Sequence, residues 1–334
     1  MKNWQAEVLA TKEVKALPIM THPGIEIIGN TVKNACCDGD VHAEAVCALA
    51  KKYPTCAATV IMDLTTEAEA FGAEVSFTEN EVPAIIGHPL KNADDICNLA
   101  VPSLKARRIP QYIKANMLAA ECITDRPVFG GCIGPFSLAG RLYDMSEIMV
   151  LIYQEPDAAH ELLRKCTEFI TKYCLAMKAS GVNGVVMAEP AAGLLSNEDC
   201  KIFSSAYVKQ IVDDVQDDYF TVVLHNCGNT NHCTEAMVTT GAQALHMGNK
   251  CDMEVVLSDT PQNVLCMGNL DPVSIFKDCT PDEVYCKTKE LLEKCAKFPN
   301  FVLSSGCDTP PATPFENIDK FFEALKDYNP TVDL

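Results

Sequence analysis

The stretch FTVVLHNCGNT, residues 220–230, decides how the fold is read. It opens as an unbroken apolar, β-branched run and ends by presenting an imidazole and a thiol two positions apart, His225 and Cys227. A run without polar alternation suits a strand buried on both faces, as in a parallel sheet. Seven other runs share this form, over residues 16–21, 57–63, 127–133, 184–189, 242–247, 264–269 and 301–305. Helical patterns lie between most of them, over 40–52, 146–178, 204–214, 231–240, 280–295 and 313–326. Eight strands with interleaved helices, in 334 residues that no linker divides, predict a single-domain α/β protein, a (β/α)8 TIM barrel. A doubly wound sheet is the second choice, because the early strand-to-helix spacing is irregular. Residues 1–15 read as an N-terminal extension, and 71–121 as an insertion of hairpin plus helices between the second and third strands.

The formal charge is −18, with only five arginines (Arg107, Arg108, Arg126, Arg141 and Arg164). Such a surface repels nucleic acid and anionic lipid, so neither is an expected partner. No apolar run approaches the ~20 residues of a membrane span, and the opening MKNWQAEVLATKEVKAL lacks a signal-peptide pattern. A cytoplasmic protein is expected. Eighteen cysteines are many. Most, such as Cys47, Cys97, Cys166 and Cys174, sit among apolar neighbours, where a reduced thiol packs as a small hydrophobe. That density suits a reducing cytoplasm, plausibly an anaerobe's.

In a barrel the functional side chains gather where strands end, at the C-terminal face. Those positions read Thr21-His22, Asp63, Gly134-Pro135, Glu189, His225 and Cys227, His246, Asn269 and Asp271, and Cys307-Asp308. Two thiols and one imidazole, from Cys227, Cys307 and His225, form a borderline-soft set that suits Zn²⁺. Three protein ligands leave one tetrahedral position for an exogenous group, the arrangement of a catalytic site. Gly228 and Gly306 would supply the bends that aim these ligands. The plainer reading makes the same residues two buried thiols and a hydrogen-bonded core histidine. Glu189 reads as a fourth ligand or proton acceptor, or else as a structural carboxylate. His246 is a pocket-lining candidate or a core histidine. Asn269 and Asp271 in GNLDP are expected to order a loop, with a contact to the bound group. Tyr143 is placed at a cofactor entrance. His22 and His88 have no spacing partner and receive no role.

The segments VVLHNCGN, VLCMGNLDPVSIF, GGCIGPFSLAGRL, IMDLTTEAEAFGAEV and GCDTPPATPFENI resemble the uroporphyrinogen decarboxylase superfamily. Within it they resemble the branch of methylcobamide:coenzyme M methyltransferases and related corrinoid-dependent methyltransferases. The likeness runs in order from about Ala16 to the C-terminus. It implies a (β/α)8 barrel and a zinc ion bound by a His-x-Cys and a late Cys, which match His225, Cys227 and Cys307. It also matches Asp63 to the family's aspartate that holds pyrrole nitrogens, a catalytic candidate beside Glu189.

The decarboxylases proper open with an arginine-rich segment that binds carboxylates, and MTHPGIEIIGNTVKNAC contains no arginine. The resemblance therefore implies a zinc-dependent methyltransferase that moves a methyl group between a methylated corrinoid and a zinc-activated thiol such as coenzyme M. His246, Asn269 and Tyr143 would face the cofactor. Transfer from a methylated or methoxylated donor in the opposite direction, or decarboxylation, are the alternatives; a binding module with a closed structural zinc is the remaining one. No D-x-H-x-x-G segment supplies a histidine to cobalt, so the corrinoid (methylcobalamin-like) is expected on a separate corrinoid-binding protein.

Overall fold

Strands buried on both faces must find partners on both edges, and here they do. In a computed structural model that describes residues 3–329, ten strands form. In chain order they are β1 (Lys15–Ala16), β2 (Ala58–Thr59), β3 (Glu74–Ser76), β4 (Ala84–Ile86) and β5 (Val128–Ile133). They continue with β6 (Gly184–Ala188), β7 (Thr221–Asn226), β8 (Ala244–Met247), β9 (Leu265–Leu270) and β10 (Phe301–Ser305). Eight of them make one sheet in the order β1-β10-β9-β8-β7-β6-β5-β2, every pair parallel. The two outer strands meet where the Cys56 N–H donates to the Ala16 carbonyl at 2.9 Å, so the sheet curls round upon itself. This is the (β/α)8 barrel. β3 and β4 pair antiparallel outside it, and the helices Ala93–Asn98 and Ile109–Cys122 follow them.

Strand side chains alternate with a period of two, so one set of each strand points inward. That set packs as one apolar cluster: Leu17, Ile19, Ala57, Phe129, Val186, Val223, Ala244, Leu265, Met267 and Val302. The helix Trp4–Ala10 closes the N-terminal end with Trp4, whose indole N–H donates to the Cys56 carbonyl at 3.1 Å. Counting on by two from Val223, Ala244 and Val302 gives His225, His246 and Ser304. The parity that buries the barrel interior thus stacks two imidazoles and a hydroxyl on its C-terminal layer.

The expected runs and the observed strands differ mainly at the first two, which are only two residues long. The helical pattern over 146–178 is two helices, Met145–Gln154 and Pro156–Ala179, because Pro156 removes an N–H and biases Glu155 away from helical geometry. The helix Pro135–Tyr143 and the helix Met253–Asp259 were not in the expected set. All eighteen cysteines are free thiols, ten of them buried; Cys47, Cys166 and Cys174 pack as small hydrophobes, whereas Cys97 is exposed. Among the described residues, no helix is long and apolar enough to cross a membrane.

Candidate metal centre

The loop after β7 and the turn after β10 bring three ligand atoms together. One nitrogen of His225 and the sulfurs of Cys227 and Cys307 lie within 4.8 Å of one another, the one such group among the described residues. Cys307 Sγ is 3.7 Å from His225 Nε2. Ligands 2.0–2.3 Å from a shared tetrahedral ion stand about 3.5–3.8 Å apart, so the donor set fits zinc in chemistry and the His225–Cys307 separation fits it in spacing. His225 is buried, and the two cysteines are partly open to the barrel mouth.

The two thiols share their protons unequally. Cys227 is lowered by the S–H of Cys307, helped by His225 and opposed by burial. Cys307 is pushed well up by the thiolate beside it, by burial and by Asp308. One proton therefore leaves easily and the second stays, until a divalent cation makes the second thiolate favourable as well.

Each ligand is held from behind. His225 Nδ1 lies 2.7 Å from His246 Nδ1, and His246 Nε2 lies 2.8 Å from Ser304 Oγ. Ser304 Oγ donates to the Leu17 carbonyl at 2.6 Å. A carbonyl only accepts, so the serine must receive from His246 Nε2–H, and His246 Nδ1 must receive from His225 Nδ1–H. The chain leaves the His225 Nε2 lone pair facing Cys307. Burial, with His225 adjacent, holds His246 well below the usual imidazole range, so it stays neutral as this chain requires.

The Cys227 loop is clamped by Asn226. Its amide oxygen accepts from the Gly228 N–H at 2.9 Å, and its amide nitrogen donates to the Glu189 carbonyl at 2.7 Å. On the other side, Asp308 accepts from the Thr21 N–H at 2.7 Å, and His22 donates to the Thr309 carbonyl at 2.8 Å. His22, given no role from spacing, thus fastens the turn that presents Cys307. Gly306 is needed for space, since a Cβ there would stand 2.5 Å from the Asn249 nitrogen.

The remaining candidates sort differently from the expectation. His246 does not line a pocket: it is wholly buried and both ring nitrogens are spent. Asn269 gives its amide nitrogen to the carbonyls of Gly248 and Cys251, at 2.9 and 2.7 Å, and so orders the loop behind Cys227. Tyr143 has Glu155, Glu147 and Asp95 as its charged neighbours, on the outer helices and the junction between two of them, rather than any member of the metal group. The Glu189 carboxylate caps the helix Pro135–Tyr143, accepting from the N–H groups of Phe136 (2.7 Å) and Ser137 (2.9 Å) and from the Ser204 hydroxyl (3.1 Å). Burial raises it while these donors pull it down.

Asp63 is equally engaged. It accepts from the backbone and hydroxyls of Thr65 and Thr66, from the Tyr112 hydroxyl at 2.6 Å, and from Arg108. Burial opposes its charge, but Arg108 and these donors hold it below the usual carboxylate range. Glu67, four residues on, was not singled out from the sequence. It is buried, its carboxylate accepts from the backbone N–H groups of Ile133 (2.9 Å) and of Glu67 itself, and burial raises it to about 7. Two acids at an i, i+4 spacing after a strand were the available signal.

The uroporphyrinogen decarboxylase (URO-D) family model matches residues 6–328. The methylcobamide:CoM methyltransferase of Methanosarcina mazei is 31% identical over 276 residues, covering 81% of this chain and 80% of that protein. The uroporphyrinogen decarboxylase of Legionella pneumophila is 28% identical over 310 residues, covering 90% and 87%. Among solved structures, a methyltransferase from Methanosarcina mazei superposes with a TM-score of 0.88 at 24% identity, covering 98% of this chain and 99% of that one. A B12-independent methionine synthase from Shewanella shares the fold at a TM-score of 0.63 and 11% identity.

Proposed function

The chain belongs to the uroporphyrinogen decarboxylase family, and on that footing we propose that it transfers a methyl group between a protein-bound corrinoid and a thiol activated at a zinc site. His225, Cys227 and Cys307 would hold the ion. Their convergence at the barrel mouth is the observation that carries the reading. Zinc in this set would supply a Lewis acid that lowers the pKa of an acceptor thiol, so that its proton passes to solvent and its sulfur stays nucleophilic.

This chain's residues do the rest. His246 and Ser304 fix the His225 ring, Asn226 and Asp308 fix the two cysteine loops, and the partly open cysteines leave room for an incoming sulfur. In the overall reaction the methyl forms a bond to sulfur, the cobalt–carbon bond breaks, and cobalt keeps the electron pair. The similarity to methylcobamide:CoM methyltransferases supports this chemistry and a corrinoid protein as partner. Eighteen free thiols suit a reducing cytoplasm.

Decarboxylation of a polycarboxylated porphyrinogen fits the charge less well. Arg108 is taken up by Asp63 and Glu69, Arg126 by Asp125 and two carbonyls, and Arg164 by Glu161 and Glu168. Purified protein should carry about one zinc per chain and demethylate methylcobalamin with a thiol, seen as the cobalamin spectrum changes. Cys307→Ala should lose the metal at neutral pH. Full zinc occupancy in that variant would rule out the assigned trio.

A further inference from the structure

Arg141 stands apart from the other arginines. The guanidinium is always charged and offers five donors. Among the described residues it makes no hydrogen bond and no ion pair within 4.0 Å, although burial and the fields of Glu67 and Asp63 act on it. Neither acid pairs with it within 4.0 Å. Asp63 is saturated by Arg108, Tyr112, Thr65 and Thr66, and Glu67 faces the Ile133 N–H. Arg107, by contrast, is exposed, where water serves it.

The cleft that Arg141 lines encloses about 530 Å³, with Ile85, Ser137, Met145 and Pro190 among its walls. Its one acidic wall residue, Asp144, is engaged by His88 Nε2 at 2.9 Å. The volume is that of a small-molecule site. Its walls come from β4, the helix after β5 and the turn after β6, and β6 is hydrogen-bonded to β7, which carries His225. Cleft and metal centre therefore open at the same end of the barrel. In a protein of charge −18, an unpaired, partly buried arginine is a local reversal of sign. Its planar fork suits the two oxygens of an oxyacid.

We propose that Arg141 anchors the anionic end, a carboxylate or a sulfonate, of the small thiol whose sulfur is activated at the metal centre. The assignment to a thiol rests on the proposed function; the anion subsite does not. Three thiols of similar size separate charge from sulfur: 2-mercaptoethanesulfonate, 3-mercaptopropionate and the neutral 2-mercaptoethanol. Ethanesulfonate carries the anion without the sulfur. Calorimetry on zinc-loaded protein should give at least tenfold tighter binding of the two anionic thiols than of mercaptoethanol.

Arg141→Gln should remove that preference, weakening the anionic thiols tenfold or more while leaving mercaptoethanol and zinc content unchanged; Arg141→Lys should restore part of it. Ethanesulfonate should bind zinc-free wild type and lose binding in Arg141→Gln, and this arm holds even if no thiol is turned over. Equal affinities in wild type and Arg141→Gln, an equal loss for the neutral thiol, or no binding of any anionic probe to wild type would each overturn the subsite.

Discussion

Glu67 and Asp63 stand four residues apart, are both buried, and titrate in opposite directions. The difference is the partners. Asp63 has Arg108 and a ring of donors; Glu67 has only backbone N–H groups, those of Ile133 and of itself. A carboxyl whose native pKa lies above its unfolded value binds its proton more tightly when folded. The stability tied to Glu67 is thus greatest at acid pH and is lost as pH rises towards about 7, by roughly 3 kcal/mol. Asp63 does the reverse, contributing above its unfolded value and losing that contribution as pH falls through its lowered one. Glutamine keeps an oxygen for the Ile133 N–H and carries no charge. Glu67→Gln should therefore match wild type in urea denaturation near pH 4 and exceed it by up to about 3 kcal/mol at pH 8. Coincident curves at pH 8 would show that burial does not control this carboxyl.

Three strands cooperate to aim one imidazole. β7 supplies His225, β8 its register partner His246, and β10 Ser304. Outer partners of a metal-bound histidine fix its tautomer, and losing one costs about 10- to 100-fold in metal affinity. His246→Leu should weaken zinc binding by that factor in a chelator competition. His246→Asn should recover part of it, because its Oδ1 can accept from His225 Nδ1–H. Unchanged affinity in His246→Leu would mean that strand packing alone holds the ring.

The same elements show what could be read from sequence. Doubly buried parallel strands are written as unbroken apolar runs, so the barrel was visible; soft ligands at strand ends offered the trio beside a plainer reading as core thiols and histidine, and the family resemblance favoured it. The role of His246 was not visible, because it depends on which atom faces which across a register. The helix Pro135–Tyr143 was missed because its first N–H groups are capped by Glu189, some fifty positions away in the chain. Tyr143 was placed at a cofactor entrance, while Arg141, two residues before it on that helix, was given no role. Two residues are about 200° of helical rotation, so one faces the cleft while the other faces the outer helices.

At the scale of the molecule, the barrel has one closed end and one working end. Trp4 and the inward apolar layers fill the N-terminal side, so the proposed corrinoid partner would approach the C-terminal face. With a charge of −18, that partner docks best through a basic rim, and association should slow as salt rises. A metal held by this trio would tie together loops eighty positions apart, at Cys227 and Cys307, and its binding would also stabilise the fold by mass action. Zinc-edge X-ray absorption on the loaded protein tests the centre itself. The account predicts two sulfurs near ~2.3 Å and one nitrogen near ~2.0 Å from the protein, with a third sulfur joining when thiol is added. A shell without sulfur, or a closed four-ligand shell that thiol leaves unchanged, would contradict it.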